Sequence, residues 1–578
     1  MNAAAHPSGL PRDPSPSEVG DAVGGGTGRP LASRLVLAVI AIAMVLFTKD
    51  GPGSWADASR LASIESLAER GTLSIDGSTY FWQGDKVRFD DRYYSHQPPI
   101  MGVLGALPYA ALHYGAGLSM DDPAHTALLY RLLTLLLTGL PVLMGLFELD
   151  RLLGKQGLSA AARAALLALV FFGTHLLPYS LVLAQHGTAA GFCLLGLGAI
   201  DRGRWPLAGL LLALASTVDL TAMFCALAFA WPILLARGPV GLLHYGVGAL
   251  PPLALHFAIN LRVAGDLIPF GLHAEAFRYA GSPFMLMSLT GVQQAAVAGE
   301  QLAYLRGATV GASGLFSHHP ILLVATLGGL FAALRGPAAA RGRLPRGLLL
   351  ATALGALGIA LFYLTGSRNF GGSSFGMRWF TVFCPFGALW AGAALARRGG
   401  HLPRGLPSTI GLWALASWSV AAAGLGAVNP WTKFHYTYEL SPKGRVPLAS
   451  DSRPATWGAH LRSEWHRIGH RDTYDRLEYD QTFSTMLDML RRAYLRPASE
   501  VGEELRVQLA TEGALRLEPV VDQFDSENST LDSRPRAHFW LGKLYAASGD
   551  RVRAERALRT AAQLDPLWPA PRAALENL

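Results

Sequence analysis

Charge is what this chain has least of: Asp, Glu, Lys and Arg together make up 16% of its 578 residues, against 51% hydrophobic. Soluble domains carry about a quarter charged residues, so a body dissolved wholly in water is excluded. Cysteine is scarcer still. The three present, Cys193, Cys225 and Cys384, all lie inside apolar blocks, where neither a disulfide framework nor a metal centre is expected, and they read as small core residues. No spacing of His, Asp or Glu resembles a metal cage, and no cofactor is expected. The formal charge of +8 does not mark a nucleic-acid binder, because the arginines stand between apolar blocks instead of lining a groove.

What is there is apolar sequence gathered into long blocks, which belong in lipid. The blocks run at about 31–47, 128–148, 161–180, 186–200, 206–219, 221–236, 240–260, 319–335, 347–365, 378–396 and 406–428. They predict an all-α polytopic membrane protein with about eleven transmembrane helices. Residues 1–30, rich in Pro, Gly, Ser and Ala, read as a disordered cytosolic tail, too long and too polar for the start of a cleaved signal peptide. Residues 31–428 form the membrane domain, and the charged stretch 429–578 reads as a soluble helical domain.

Basic residues flank alternate connections: Arg29 and Arg34; Arg151, Lys155 and Arg163; Arg202 and Arg204; Arg237; Arg335, Arg341, Arg343 and Arg346; Arg397, Arg398 and Arg404. By the positive-inside rule these connections are cytosolic, so the N-terminus is in and the C-terminal domain extracytoplasmic, on a bacterial inner (cytoplasmic) membrane. Counting residues 98–116 as another span would invert every later loop. The leading Pro98 and Pro99, with Pro108 and His113, suit a helix lying at the interface. Two long outer loops then remain, about 48–127 and 261–318, and function is sought there.

The first loop opens with WADASRLASIESLAERGTLSID and continues through GDKV and FDDRYYSHQPPI; later come GLFSHHPILL and FGGSSFGMRWFTVFCPF. In this order the segments resemble bacterial members of the GT-C superfamily, membrane glycosyltransferases that use polyprenyl-phosphate sugars, of the protein O-mannosyltransferase and aminoarabinose transferase type. The resemblance covers about residues 31–428. In that superfamily an aspartate early in the first outer loop is the catalytic base, and the matching position is Asp57, with Arg60 and Glu65 beside it. A carboxylate held at the bilayer surface can take the proton of a hydroxyl attacking the anomeric carbon. The leaving polyprenyl phosphate is already a stable anion and needs cations more than an acid. The plainer reading of Asp57 is as cap of a helix beginning near Ala58.

The family's Lys-Pro-Pro-Leu type motif reads HQPPI here, with Gln97 at the lysine position. The resemblance therefore implies that His96, Arg92 or Lys86 contacts the donor phosphate, or that the donor differs; the same residues also suit a plain loop-to-helix turn. Asp85 and Lys86 are a functional or a surface ion pair. Relatives carry a second acid in the next short outer loop, where this chain has Gln185 and His186; His186 is a substrate ligand or an interfacial polar residue. In the second long loop His273, Glu275 and Arg278 stand among aromatics that suit a sugar subsite. Arg378 matches an arginine of the relatives' Gly-Pro-Arg pattern, with Met377 in place of the proline, and either binds the lipid phosphate or snorkels to headgroups.

Near the C-terminus, Leu541, Gly542, Tyr545, Ala554, Leu558, Ala561 and Pro566 stand at tetratricopeptide offsets over residues 535–568. Helical stretches at about 472–495 and 500–524 are expected to stack on that repeat, as a docking module for a protein partner or as structural support. The leading expectation is an inverting hexosyl- or pentosyltransferase. It moves a sugar from a polyprenyl-phosphate donor to a glycan, lipid or protein acceptor on the outer membrane face. A lipid-linked sugar flippase, with charged or broken helices near mid-bilayer, and a non-catalytic envelope scaffold are the alternatives. Asp219 would be the flippase's mid-membrane charge, although it reads as lying at an outer helix junction.

Overall fold

The computed structural model describes residues 30–277 except 82 and 84, 301–334 except 312 and 313, 345–366, 371, 374–431 except 404 and 429, 494–523 except 496 and 497, and 533–578 except 565 and 567–569. Arg278, most of the 472–495 stretch, and the basic residues Arg335, Arg341 and Arg343 lie outside the described residues.

Apolar runs become helices. The first is α1 (Leu31–Phe47), followed by α2 (Trp55–Arg70), a β-hairpin, and α3 (Pro99–Ala116). Next come α4 (Pro123–Thr134) and α5 (Leu140–Lys155), joined by a π-turn at Leu135–Gly139, then α6 (Ala160–Phe172), α7 (Leu176–Ser180), α8 (Gln185–Asp201), α9 (Trp205–Val218) and α10 (Met223–Ala264). After two 3-10 turns come α11 (Gln301–Val310), α12 (Leu315–His318), α13 (Pro320–Leu334), α14 (Arg346–Gly366), α15 (Cys384–Ala396) and α16 (Leu406–Val428).

Among the described residues, five continuous helical runs are long and apolar enough to cross a membrane: Ala124–Lys155, Leu220–Ala264, Gly347–Gly366, Arg378–Ala396 and Thr409–Val428. That is fewer than the eleven blocks of the sequence, for two physical reasons. First, some blocks end early; the 161–180 block stops as α6 at Gly173 and resumes as the five-residue α7. Second, Leu220–Ala264 holds two blocks. Its 45 residues would measure about 68 Å as one helix, against a hydrocarbon core of about 30 Å. It breaks at Gly238, whose φ of 63° and ψ of −158° lie outside the helical region, just before Pro239. The halves fold back on one another, since the Tyr245 hydroxyl donates to the Ala226 carbonyl at 3.0 Å.

The hairpin was not anticipated in an all-α chain. It pairs β1 (Lys86–Phe89) with β2 (Arg92–Ser95) antiparallel, Lys86 opposite Ser95 and Phe89 opposite Arg92. Its two-residue turn is Asp90–Asp91, both at positive φ (46° and 61°), the left-handed pair that such tight hairpin turns require and that Asp tolerates.

Helix α3 lies along α2. A Cβ at Gly102 would come within 2.9 Å of Ser63 Cβ, and one at Gly105 within 2.5 Å of Ile64 Cδ1, so the two helices meet on a strip of small residues. The opposite face bares Leu107 and Tyr114, as an interfacial helix would. Single cysteines at the exposed Arg92 and Asp121 are expected to react with a membrane-impermeant maleimide from the same side. The native cysteines are buried, so background is low. Labelling from opposite sides would make α3 a span and reverse the topology.

Two apolar cores organise the body. One joins α1, α5, α6, α8, α9, α14 and α15. The other, beneath the first loop, gathers Ala58, Leu61, Ile64, Val87, Ile100, Tyr130, Leu183, Val218, Phe270 and Phe277, and it fixes the loop as a packed cap. At the far end of α8, Asp201 pairs with Arg151 and Lys155, each at 2.7 Å, and Glu148 with Arg202 at 2.7 Å. The C-terminal helices Glu503–Leu517, Ser533–Ser548 and Arg551–Leu564 pack around Ala514, Leu517, Leu541, Leu544, Tyr545 and Ala554. There a Cβ at Gly542 would meet Leu558 Cγ at 2.5 Å.

Candidate active site

Helix α2 is polar, yet every residue from Ala56 to Ser66 is buried. Burying Asp57, Ser59, Arg60, Ser63, Glu65 and Ser66 together costs free energy unless each finds a partner. Ser54, not Asp57, caps the helix: its backbone is extended and its Oγ accepts the Asp57 N–H at 3.1 Å. The sequence reading of Asp57 as cap is thereby corrected. As the third helical residue it also accepts the N–H of Gly53, the residue before the cap.

The carboxylate of Asp57 is nonetheless claimed mainly by distant partners. Its Oδ2 accepts the Tyr130 hydroxyl at 2.9 Å and the Trp431 indole N–H at 2.8 Å. Its Oδ1 faces Arg60 Nη1 at 3.5 Å. Burial pushes the carboxyl up to about 6, opposed by Arg60 and by the hydrogen bonds from Tyr130, Trp431 and Gly53. An acid of that strength is ionised at neutral pH and still a competent base.

Arg60 explains the missing lysine of the HQPPI motif. Its Nη2 donates to Gln97 Oε1 at 2.7 Å and its Nη1 to the Leu183 carbonyl at 2.8 Å. Gln97 passes the contact on, donating from Nε2 to Asp85 Oδ2 at 3.3 Å and touching His96 Nδ1 at 3.0 Å. Gln97 is therefore a strut for a cation supplied by α2. Burial lowers Arg60 to about 10, which leaves it charged at neutral pH. Ser59 ties α2 to the hairpin, through the Asp85 carbonyl and Ser95 Oγ at 2.6 Å each.

Arg378 closes the opposite side. It begins the 3-10 helix Arg378–Phe383 after two left-handed glycines, Gly371 and Gly376. Its guanidinium carbon lies 5.1 Å from the Trp431 ring centre, and its charge is felt by Arg60 and by His96. The Nε atoms of both Arg60 and Arg378 are buried without a hydrogen-bond partner among the described residues. His186 is buried where it feels the charge of both arginines. Its Nδ1 is 2.6 Å from Asp219 Oδ2, and Asp219 also accepts from the Thr221 N–H and hydroxyl at 3.2 and 2.9 Å.

The structure thus brings together Asp57, Arg60, His96, Gln97, His186 and Arg378. Of the other expected site residues, Lys86, His273 and Glu275 have partners of their own. Lys86 is buried with its ammonium donating to the Phe81 carbonyl at 2.7 Å and stacked 3.7 Å from the Phe81 ring centre; burial lowers it to about 7. Arg92 is exposed at the hairpin turn. His273 lies 3.0 Å from Glu275 and 3.3 Å from Asp266, edge-on to Phe89, so this part of the second loop docks on the hairpin. Glu65, Glu69 and Asp121 have oxygens close enough to share a cation, but Arg70 lies 3.6 Å from both glutamates and Thr79 and Tyr109 bond to the trio. That cluster is internally compensated.

Tyr130 and Trp431 escaped the sequence reading. Tyr130 sits within an apolar block, and Trp431 follows the last one, where a tryptophan reads as an interfacial anchor.

No protein-family profile and no curated protein matches the chain. Among solved structures it is similar to ArnT from Cupriavidus metallidurans bound to undecaprenyl phosphate, at 15% identity and a TM-score of 0.39, over 93% of this chain and 79% of that one. The apo state of the same protein gives 14% identity and a TM-score of 0.38, over 92% and 79%. An oligosaccharyltransferase from Archaeoglobus fulgidus, tethered with an acceptor peptide, gives 15% identity and a TM-score of 0.36, over 73% of this chain and 59% of that one.

Proposed function

We propose that this chain is a membrane glycosyltransferase. In the reaction, Asp57 takes the proton of an acceptor hydroxyl as its oxygen bonds to the anomeric carbon of a sugar carried on polyprenyl phosphate. The bond from that carbon to the phosphate oxygen breaks with its electron pair, and the departing polyprenyl phosphate gains a negative charge. Attack from the opposite face inverts the anomeric centre. Arg60 and Arg378 hold the phosphate, and their attraction grows as its charge grows, which lowers the barrier instead of merely tightening ground-state binding.

The observation that carries this reading is the pairing of one buried carboxylate, its proton affinity raised to about 6, with two arginines whose Nε–H groups have no acceptor among the described residues. A buried guanidinium N–H left without a partner costs about 1–3 kcal/mol, a cost that an anionic ligand removes. His186, oriented by Asp219, and His96 complete the wall on which a sugar would rest. We further propose that the site faces the outside of the cytoplasmic membrane and that the tetratricopeptide-like helices dock a protein partner on that side.

The test is transfer in a defined bilayer. Purified protein in proteoliposomes, supplied with radiolabelled polyprenyl-phosphate sugars and a membrane extract as acceptor, is expected to move label out of the lipid-phosphate pool into acid-stable product. Label that crosses the bilayer while staying on the lipid phosphate would replace the enzyme with a flippase.

A further inference from the structure

The last membrane helix ends at Val428, and the next few residues do not leave the membrane domain freely. The Val428 carbonyl accepts Lys49 Nζ at 2.6 Å. The Pro430 carbonyl accepts the Phe375 N–H at 2.9 Å and the Tyr179 hydroxyl at 3.2 Å. Trp431 follows, 4% exposed, between the first loop and the Arg378 segment. Its ring centre is 5.7 Å from that of Tyr179, and Gly53 must be a glycine here, because a Cβ would come within 2.7 Å of Trp431 Cδ1.

We infer that Trp431 is a positioning residue for both halves of the site: its indole N–H selects which oxygen of Asp57 receives the proton, and its ring face holds Arg378 toward the departing phosphate. The inference rests on the transferase reading above. A buried tryptophan ordinarily finds some acceptor for its N–H, often a backbone carbonyl, as part of ordinary packing. Here the acceptor is the carboxylate itself, and it is the oxygen already taken by Tyr130. With two donors on Oδ2 at 2.9 and 2.8 Å, that oxygen's lone pairs in the carboxylate plane are occupied. Among the described side chains Oδ1 has the long 3.5 Å approach of Arg60, and the Gly53 backbone N–H is the carboxylate's one further donor, so Oδ1 is the less engaged oxygen and the one placed to accept a hydroxyl proton. The guanidinium over the indole face is a cation–π contact, which orients Arg378 without using up its N–H donors. The two actions belong to different parts of one side chain and are separable. Both depend on where the chain exits α16, so the attachment point of the C-terminal domain sets the geometry of proton acceptor and phosphate holder together.

Trp431→Phe keeps a ring face and loses the N–H; Trp431→Leu loses both. Transfer requires Asp57 ionised, so activity falls as pH drops through about 6. Removing a donor that stabilises the carboxylate moves this acid limb upward. In Trp431→Phe the limb of the transfer rate is expected to rise by about half a unit to one unit, with affinity for undecaprenyl phosphate, used as a probe for the polyprenyl phosphate product, nearly unchanged. In Trp431→Leu the same shift is expected together with about a fivefold loss of undecaprenyl phosphate affinity. A wild-type acid limb in Trp431→Phe, or equal affinity losses in both variants, would overturn the inference and leave Trp431 a packing residue. If neither variant folds, tryptophan emission of the intact protein replaces them. The difference between wild type and Asp57→Asn should titrate near pH 6, and a flat difference overturns the inference as well. Failure here is distinct from failure of the transferase reading: Asp57→Asn that still transfers sugar refutes the enzyme mechanism, whereas Asp57→Asn that is inactive beside an unmoved limb in Trp431→Phe refutes only this role.

Discussion

Asp57→Asn is expected to lower sugar transfer by about a hundredfold or more while the protein remains folded. Asparagine matches aspartate in shape, and its carbonyl oxygen still accepts from Tyr130 and Trp431, which hold Oδ2 at 2.9 and 2.8 Å. What it lacks is an oxygen that can take a proton from the attacking hydroxyl. Helix α2 keeps its start because Ser54 supplies the cap. The carboxylate is wholly buried and its proton affinity raised, so the charged form is not there for stability; a folded-state proton affinity raised above the usual carboxylate value contributes stability at low pH that is lost as pH rises through about 4 to 6. Asparagine should therefore melt no lower than wild type at pH 7 by more than the loss of the Arg60 pairing. The measurements are labelled-sugar transfer at matched protein levels and thermal unfolding in detergent. Undiminished transfer would remove the base assignment and place the proton acceptor on another group.

How much of this was legible beforehand depends on the range of the interaction. Local signals survived well. The apolar blocks became helices, the Asp57 segment became a helix at the bundle end, and Asp219 lies at a helix junction, its side chain also capping the short turn after α9. Other local signals were present but passed over. Asp90–Asp91 between VRF and RYY is a hairpin turn, whereas the break at Gly238 falls where the sequence already divides the 221–236 and 240–260 blocks, beside Arg237. Ser54, three residues before Asp57, is a better cap than Asp57 itself. Long-range pairings left no trace. Tyr130 and Trp431 are 73 and 374 residues from Asp57, and no periodicity connects them. The loss of the motif lysine was visible at Gln97, but its compensation was not, because Arg60 reaches the turn from another helix. His273 and Glu275 share a segment rich in aromatics, and what the sequence did not show is that the fold pairs His273 with Glu275 and Asp266 against the hairpin.

The close crossing of α9 with the second half of α10 yields the largest structural effect. A Cβ at Gly248 would lie 1.8 Å from the Pro206 carbonyl oxygen, and one at Gly209 1.9 Å from that of Tyr245. Each glycine lets the partner's backbone approach, and because the obstacle is a carbonyl and not a side-chain tip, no rotamer change relieves the clash. In lipid, where apolar burial adds little to helix association, such small-residue contacts supply much of the packing. Overfilling a packed interface by side-chain atoms alone costs about 1–3 kcal/mol, so a leucine at Gly248, driven against the Pro206 backbone, should exceed that range. Displacing α9 would also move Asp219 at its end, and with it the carboxylate that holds His186 at 2.6 Å. Gly248→Leu is therefore expected to abolish recovery of monodisperse folded protein, and Gly248→Ala to lower the melting temperature by several degrees, on the order of 1–3 kcal/mol. Gly246, two residues earlier on the same helix, has no atom within 4 Å of a built Cβ. Gly246→Ala should be neutral or slightly stabilising, since alanine is the better helix former by about 1 kcal/mol. Equal melting of the Gly246→Ala and Gly248→Ala proteins would mean that the tight crossing is not what holds α9 and, through it, His186 in place.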